Sequence, residues 1–236
     1  MARTQQPAVA SGITGSALVR LLAPLAGDDA GASRQSFTDR LSQWLGWTDA
    51  IALSGALDGS APVAPPDAEN DAAVLRADYA KVRATLAKTL DGNDRALGSG
   101  RDGATDFPPY RRYYLGRQQA MELAIAALRQ RLRAAIAAAP APLARLAAVD
   151  AVIEQALGAQ EHNLLATTVP PLLERHFRRL RDAAAATDGA EPAPQPAEAW
   201  QNRFRRDLCA VLLAELDLRC QPIDGLLAAL HSSSRA

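Results

Sequence analysis

The feature that most constrains this chain is a pair of long apolar seams whose residues recur at alternating steps of four and three. The first seam, within residues 114–132, consists of Tyr114, Gln118, Met121, Ile125, Leu128 and Leu132. The second seam, within residues 146–164, consists of Leu146, Asp150, Ile153, Leu157, Gln160 and Leu164. This spacing places side chains along one face of an α-helix and is typical of coiled coils. The pattern predicts two long helices that pair through these faces.

The composition fits a helical protein and narrows the possible classes. Ala occurs 52 times and Leu 32 times among 236 residues, and both are strong helix formers. With 48% apolar residues the chain can bury a core, which excludes an intrinsically disordered protein. The longest run without a charge, residues 4–19, is too short and too polar to cross a membrane. We therefore predict an all-α antiparallel helical bundle with a long central coiled-coil-like hairpin, and no membrane insertion.

Helical periodicity and Pro- or Gly-rich stretches define the remaining organisation. Helices are predicted at residues 18–25, 36–57, 71–90, 110–139, 172–185 and 200–219. A further helix is predicted from the turn at Pro140 and Pro142 to about residue 168, and a short final helix after Pro222. Linkers are predicted at residues 58–70, 91–109 and 186–197. Residues 1–15 have no sustained periodicity and are predicted to form a loose tail, so that residues 16–236 form a single helical domain.

The two seams also predict a register for the hairpin. A turn near Ala139, just before Pro140, would place Ile125 opposite Ile153. In the same register Gln118 would meet Gln160, and this polar pair would fix the alignment of the two helices.

Asp150 is the most unusual carboxylate because it falls on the apolar stripe of the second seam. One interpretation is a catalytic acid with a perturbed pKa. The favoured interpretation is a structural ion pair with Arg129, Arg131 or Arg133 on the facing helix.

No arrangement of residues predicts catalysis, a metal site or a cofactor. The three histidines, His162, His176 and His231, lack the spacing of helical zinc ligands. The segment Gly98-Ser-Gly-Arg-Asp-Gly is superficially similar to a phosphate-binding loop, but no strand precedes it and no Lys-Ser/Thr follows. We expect no enzyme activity.

The two cysteines indicate a cellular compartment. Cys209 and Cys220 fall eleven residues apart in one helical pattern, and a straight helix would separate them by roughly 16 Å. A disulfide cannot span that distance, so we expect two free thiols that pack in the core. Free thiols are typical of a reducing compartment, which predicts a cytoplasmic protein.

The predicted helix over residues 36–57 carries the candidate partner surface. Its inward stripe is predicted to consist of Phe37, Leu41, Trp44, Leu45, Ile51 and Ala52. Arg40 and Trp47 fall on the shoulder of that stripe, while Leu53 and Leu57 fall on the far side. A Trp beside an Arg is typical of an interface hot spot, so these four residues form the predicted partner-binding site. The alternative is that a neighbouring helix covers this shoulder.

Several segments resemble an uncharacterised family of Gram-negative bacterial proteins that is known only as a domain of unknown function. They are the 14 residues that begin Arg40-Leu-Ser-Gln-Trp-Leu-Gly-Trp, then Gln119-Ala-Met-Glu, Leu128-Arg-Gln-Arg-Leu-Arg, Leu146-Ala-Ala-Val-Asp-Ala-Val and Ala214-Glu-Leu-Asp-Leu-Arg-Cys-Gln-Pro-Ile-Asp-Gly-Leu-Leu. The resemblance covers the chain from about residue 15 onward. Genes of that family often neighbour genes for membrane proteins with flagellar-stator-like and OmpA-like domains. The resemblance therefore implies an accessory role near an envelope complex, and it implies no site residues.

The sequence as a whole favours a non-enzymatic cytoplasmic helical interaction protein, an adaptor or assembly factor. It would bind a protein partner or associate with itself through its helices. The alternative is a nucleic-acid-associated helical protein that uses the Arg clusters at residues 111–117, 129–133 and 175–181. Because Lys+Arg and Asp+Glu both total 26, the overall charge does not favour nucleic acid.

Overall fold

A computed structural model of the chain describes residues 16–26, 37–58, 68–90, 106–187 and 199–233. The described residues form helices and contain no strand. In chain order the helices are α1 (Ala17–Ala26), α2 (Phe37–Trp44), α3 (Trp47–Asp58), α4 (Ala68–Leu90), α5 (Pro108–Ala137), α6 (Ala141–Thr187) and α7 (Ala199–Ser233). The all-α fold class is confirmed. The predicted tail at residues 1–15 and most of the three predicted linkers lie outside the described residues.

Helices α4, α5, α6 and α7 form the body of the bundle. α5 packs against α4, α6 and α7, and α7 packs against all three of the others. The helices α1, α2 and α3 lie on this body, with α1 against α6 and α7 and α3 against α6. Five aromatic rings contact one another in and beside the core, and they are Phe107, Tyr110, Phe177, Trp200 and Phe204.

Local sequence accounts for several helix ends. Ser16 caps α1, because its Oγ accepts a hydrogen bond from the Val19 N–H at 3.2 Å. Proline occupies the first two positions of α5, where its missing N–H leaves no intrahelical bond unmade. The turn between α5 and α6 lies at residues 138–140, where the sequence places it.

Two helices are longer than the sequence predicts. α6 continues through Pro170-Pro171, and α7 continues through Pro222. An internal proline removes one hydrogen bond and costs about 3 kcal/mol. Apolar burial on both sides of the prolines offsets that cost, since Val169 and Leu173 flank the first site and Cys220 and Ile223 flank the second in the core.

The hairpin of α5 and α6 is antiparallel, but the predicted pairing of the two seams is wrong, because Ile153, Gln160 and Leu164 of the second seam are exposed. The contacts between the helices do not share one offset from the predicted register. Arg129 binds Asp150 within one residue of it, whereas Glu122 contacts His162 six residues further along α6. Side chains on a helix lean toward its N-terminus. In an antiparallel pair the two tilts add, so side chains meet further from the turn than the backbone alignment indicates.

No helix in the described part of the chain combines the length and the apolar character that crossing a membrane requires.

Candidate protein-interaction surface

The helix predicted over residues 36–57 is broken into α2 and α3 at Leu45 and Gly46. The break is stabilised at the start of α3, where the Gly46 N–H donates a hydrogen bond to Asp49 Oδ2 at 2.9 Å. A carboxylate at the third helical position that binds the N-cap N–H is one half of a capping box. α3 therefore begins independently of α2. The positions of side chains around α3 cannot be calculated by continuing α2 as one helix.

The face of α3 that points away from the bundle is apolar at its N-terminal end. Trp47 is 82% exposed and Ile51 is 58% exposed, and they lie one turn apart on one side of the helix. Leu57 is 55% exposed, and none of the described side chains of α3 is buried. Leu53 and Ala56 are half-buried on the opposite side of the helix. At 3.6 residues per turn Leu57 falls beside Leu53 rather than beside Ile51, so we call Trp47 and Ile51 alone the α3 apolar surface.

The residues of the predicted partner site differ in exposure. Trp47 and Leu57 are exposed, whereas Leu53 is half-buried against the bundle. The prediction that Ile51 and Ala52 lie on the inward stripe is wrong, because both are exposed. The side chain of Arg40 lies outside the described residues. The cause of the error is the break at Gly46, which rotates the face of α3 relative to α2.

Asp150 belongs to an ion cluster that joins α5 to α6. Arg129 binds it in a bidentate manner, with Nε at 2.9 Å from Oδ2 and Nη2 at 2.6 Å from Oδ1. Arg133 binds both Asp150 and Glu154 through Nη1. The structural interpretation of Asp150 therefore fits this geometry, with two arginines occupying both carboxylate oxygens.

A second polar cluster lies at the centre of the bundle and joins α5 to α7. Glu215 is fully buried, and its carboxylate accepts hydrogen bonds from Tyr114 Oη at 2.6 Å and from Gln118 Nε2 at 2.8 Å. Arg219 Nε donates to the same carboxylate at 2.9 Å. We call Tyr114, Gln118, Glu215 and Arg219 the central polar cluster, and it compensates a buried charge with one cation and two neutral donors.

The central polar cluster replaces the predicted pairing of Gln118 with Gln160. Gln118 is buried, but its amide binds Tyr114 and Glu215, while Gln160 is exposed. Gln160 is therefore not part of a polar core.

We predict that the protein loses stability at alkaline pH through Tyr114. Burial raises the pKa of Tyr114, and the charge of Glu215 adds to the effect. Because the pKa of Tyr114 is higher in the folded state, its contribution to the free energy of unfolding is complete below the unfolded-state pKa of about 10. That contribution falls as the pH rises above about 10. Urea denaturation between about pH 8 and 11 should show a loss of up to roughly 1.4 kcal/mol per pH unit from this group. Tyr114→Phe should flatten the profile, and an unchanged slope would contradict the assignment.

The histidines and cysteines have structural surroundings. His176 is buried between Asp207 and Arg179, and since a guanidinium only donates, Nδ1 accepts from Arg179 and Nε2 donates to Asp207 at 2.7 Å. His162 pairs with Glu122 at the surface. Among the described residues no group of three His, Cys, Asp or Glu side chains has an arrangement that could hold a metal ion. Cys209 and Cys220 are both buried free thiols, and burial raises the pKa of Cys220.

These features describe an all-helical protein in which two polar clusters join helices internally. Trp47 is the most exposed of the large apolar side chains that the structure describes. The chain matches the family described as "Protein of unknown function (DUF3348)" over residues 3–232, and it belongs to that family. The resemblance to an uncharacterised family is thereby confirmed. No match to the chain occurs among the curated proteins or the solved structures compared with it.

Proposed function

We propose that this protein is a non-enzymatic helical interaction protein, an adaptor or assembly factor, that binds another protein through the α3 apolar surface. The observation that supports this proposal is the 82% exposure of Trp47 on a helix that packs against α6 with its other side. Tryptophan is strongly enriched among the residues that dominate binding energy at interfaces. A cluster of large exposed apolar side chains is also typical of an interaction site.

The charges of α3 indicate the chemistry of the partner. The helix contains Asp49 and Asp58 and no basic residue, and Asp58 lies on the same side as Trp47 and Ile51. A complementary partner would provide an apolar cleft for the indole ring and basic side chains at its rim. A cytoplasmic role as an accessory to an envelope complex, which the family resemblance implies, is consistent with such a surface and is part of this proposal.

The alternative of a nucleic-acid-associated protein has less support, because several arginines of the proposed clusters form ion pairs with carboxylates of the same chain. Arg129 and Arg133 bind Asp150, and Arg131 binds Asp78. In the cluster at residues 175–181, Arg178 pairs with Glu174. An arginine that is paired with a carboxylate releases few counterions when a phosphate approaches, and the salt-dependent part of DNA binding is correspondingly small.

We expect Trp47→Ala to weaken partner binding at least tenfold while leaving the melting temperature within about 2 °C of wild type. The indole contacts little of its own chain, so its loss should remove partner contacts without opening a cavity. The measurement is affinity capture of the tagged full chain from its own cell, with quantitative mass spectrometry of the co-purified proteins. Val74→Ala is the matched control, because Val74 is exposed to a similar extent as Ile51 but lies on α4.

Partners are the proteins whose recovery falls with Trp47→Ala but not with Val74→Ala. Equal recovery of every co-purified protein with wild type and Trp47→Ala would contradict the proposal. A large drop in melting temperature for Trp47→Ala would also contradict it, because the residue would then be part of the core.

A further inference from the structure

A buried histidine lies in the contact between α6 and α7, and this contact also shows how the two helices run. His176 donates from Nε2 to Asp207 Oδ2 at 2.7 Å. Glu161, earlier on α6, contacts Arg219, later on α7. Partners that come earlier on one helix and later on the other define an antiparallel pair. A step toward the C-terminus of α6 therefore runs in the same direction along the bundle as a step toward the N-terminus of α7.

Two exposed arginines lie at one level on the outer side of this contact. Arg179 lies one turn past the histidine on α6, and Arg203 lies one turn before the aspartate on α7, so both are displaced in the same direction. At 100° per residue, both also lie on the side of the contact away from the buried rings of Phe177 and Phe204. Within the described part of the chain, neither guanidinium pairs with a carboxylate.

The buried histidine fixes the direction of the Arg179 side chain. Nδ1 of His176 accepts a hydrogen bond from Arg179 Nη2 at 3.0 Å, and Asp207 holds the other side of the ring. A guanidinium has five N–H donors, and this contact uses one of them. The remaining donors lie at the exposed end of a side chain that is already held in place. Such preorganisation lowers the cost of binding a ligand.

The surroundings of the two arginines are basic. Arg175 directly precedes His176 and Arg206 directly precedes Asp207, and both arginines are exposed at nearly the level of the contact. Four arginines therefore lie around the carboxylate of Asp207, which His176 already binds. Like charges at one level repel each other, and an anion between them relieves that repulsion.

We infer that Arg179 and Arg203 bind a phosphate group between them, at the outer edge of the contact between α6 and α7. Helices that pack side by side have axes about 8–10 Å apart, a distance that two arginine side chains can close around one anion. Each guanidinium presents a fork of donors that matches the oxygens of a phosphate. Two arginines make few phosphate contacts, so the site fits a small phosphate compound or a lipid headgroup rather than a nucleic acid. This inference does not depend on the function proposed for α3.

Titration of the full chain with inorganic phosphate at constant pH and ionic strength tests this inference, with NMR of the histidine ring nitrogens as the readout. We expect saturable binding with a dissociation constant on the order of 1 mM. The His176 signals should shift, because Arg179 donates to that ring. The signals of His162, which is exposed and pairs with Glu122, should not shift.

Arg179→Ala and Arg203→Ala should each raise the dissociation constant at least tenfold, with binding followed by calorimetry in the variants. Arg112→Ala is the matched control, because it removes the same charge from an exposed arginine of α5 and should change the constant less than twofold. Circular dichroism establishes that all three variants keep their helicity. Co-sedimentation with phosphatidylglycerol vesicles separates the two sources of phosphate. Vesicle binding that is lost in Arg179→Ala assigns the phosphate to a lipid headgroup, and no vesicle binding by wild type assigns it to a soluble compound.

Two outcomes would overturn the inference. One is a wild-type chain that shows no saturable change at His176 up to about 50 mM phosphate, which is far above the expected dissociation constant. The other is a loss of affinity in Arg203→Ala that is no larger than the loss in Arg112→Ala, since the effect would then reflect overall charge and not a site.

Discussion

Glu215→Ala should lower the free energy of unfolding by about 3–5 kcal/mol, which is the cost of leaving a buried charge without its partner. The carboxylate of Glu215 is fully buried, and Arg219, Tyr114 and Gln118 all donate to it. Without it, Arg219 would keep only Glu161, whose nearest carboxylate oxygen lies 3.9 Å from Nη1. In a chain of this length the loss corresponds to a decrease in melting temperature on the order of 10 °C.

A double variant separates the charge from the rest of the cluster. Glu215→Leu together with Arg219→Leu removes both buried charges and should be markedly more stable than either single variant, because well-packed apolar residues often replace buried ion pairs without loss. Glu161→Ala is the control, and since Glu161 is exposed it should cost less than about 1 kcal/mol. Chemical denaturation provides the free energies. A cost below 1 kcal/mol for Glu215→Ala would show that the carboxylate does not stabilise the fold.

Asp150→Ala should cost about 2–4 kcal/mol, somewhat less than Glu215→Ala. Arg129 would lose its closest carboxylate and Arg133 one of its two carboxylate partners, although each would still contact Glu154. The matched control is Asp217→Ala, which breaks a single ion pair with Arg83 at the surface. Because both partners of that pair are about half exposed, its loss should cost less than about 1 kcal/mol. Equal costs for the two variants would contradict the role of Asp150 in joining α5 to α6.

The parts of the fold that local spacing controls could be predicted from the sequence. The extent of α5, the turn before Pro140 and the buried face through Met121 follow from heptad spacing and from proline. The ion pair between Asp150 and Arg129 could also be predicted. A carboxylate on an apolar stripe needs a cation, and the facing helix provides arginines at that level.

The parts that depend on how elements approach one another could not be predicted. Which side of α6 turns toward α5 depends on how the helices pack, so spacing alone predicts Gln160 in the core although it is exposed. The break at Gly46 depends on a cap that competes with a continuous helix, and the segment Gly46-Trp-Thr-Asp is the signal that could have revealed it. Glu215 cannot be recognised from local spacing, because Tyr114 and Gln118, two of its partners, lie on a helix about one hundred residues away. Its position between the buried residues Leu212 and Leu216 was the available indication.

Binding of a partner protein by the α3 apolar surface can be measured by site-specific photo-cross-linking in the native cell. The photoreactive residue replaces Ala50, which is exposed one turn from Trp47 and leaves the indole in place, and in the control it replaces Val74. Both positions are exposed, so the probe should leave the fold unchanged at either one. We expect the probe at residue 50 to cross-link one defined protein that the probe at residue 74 does not. Cross-linking at residue 50 that is no stronger or more selective than cross-linking at residue 74 would show that this surface does not bind a partner.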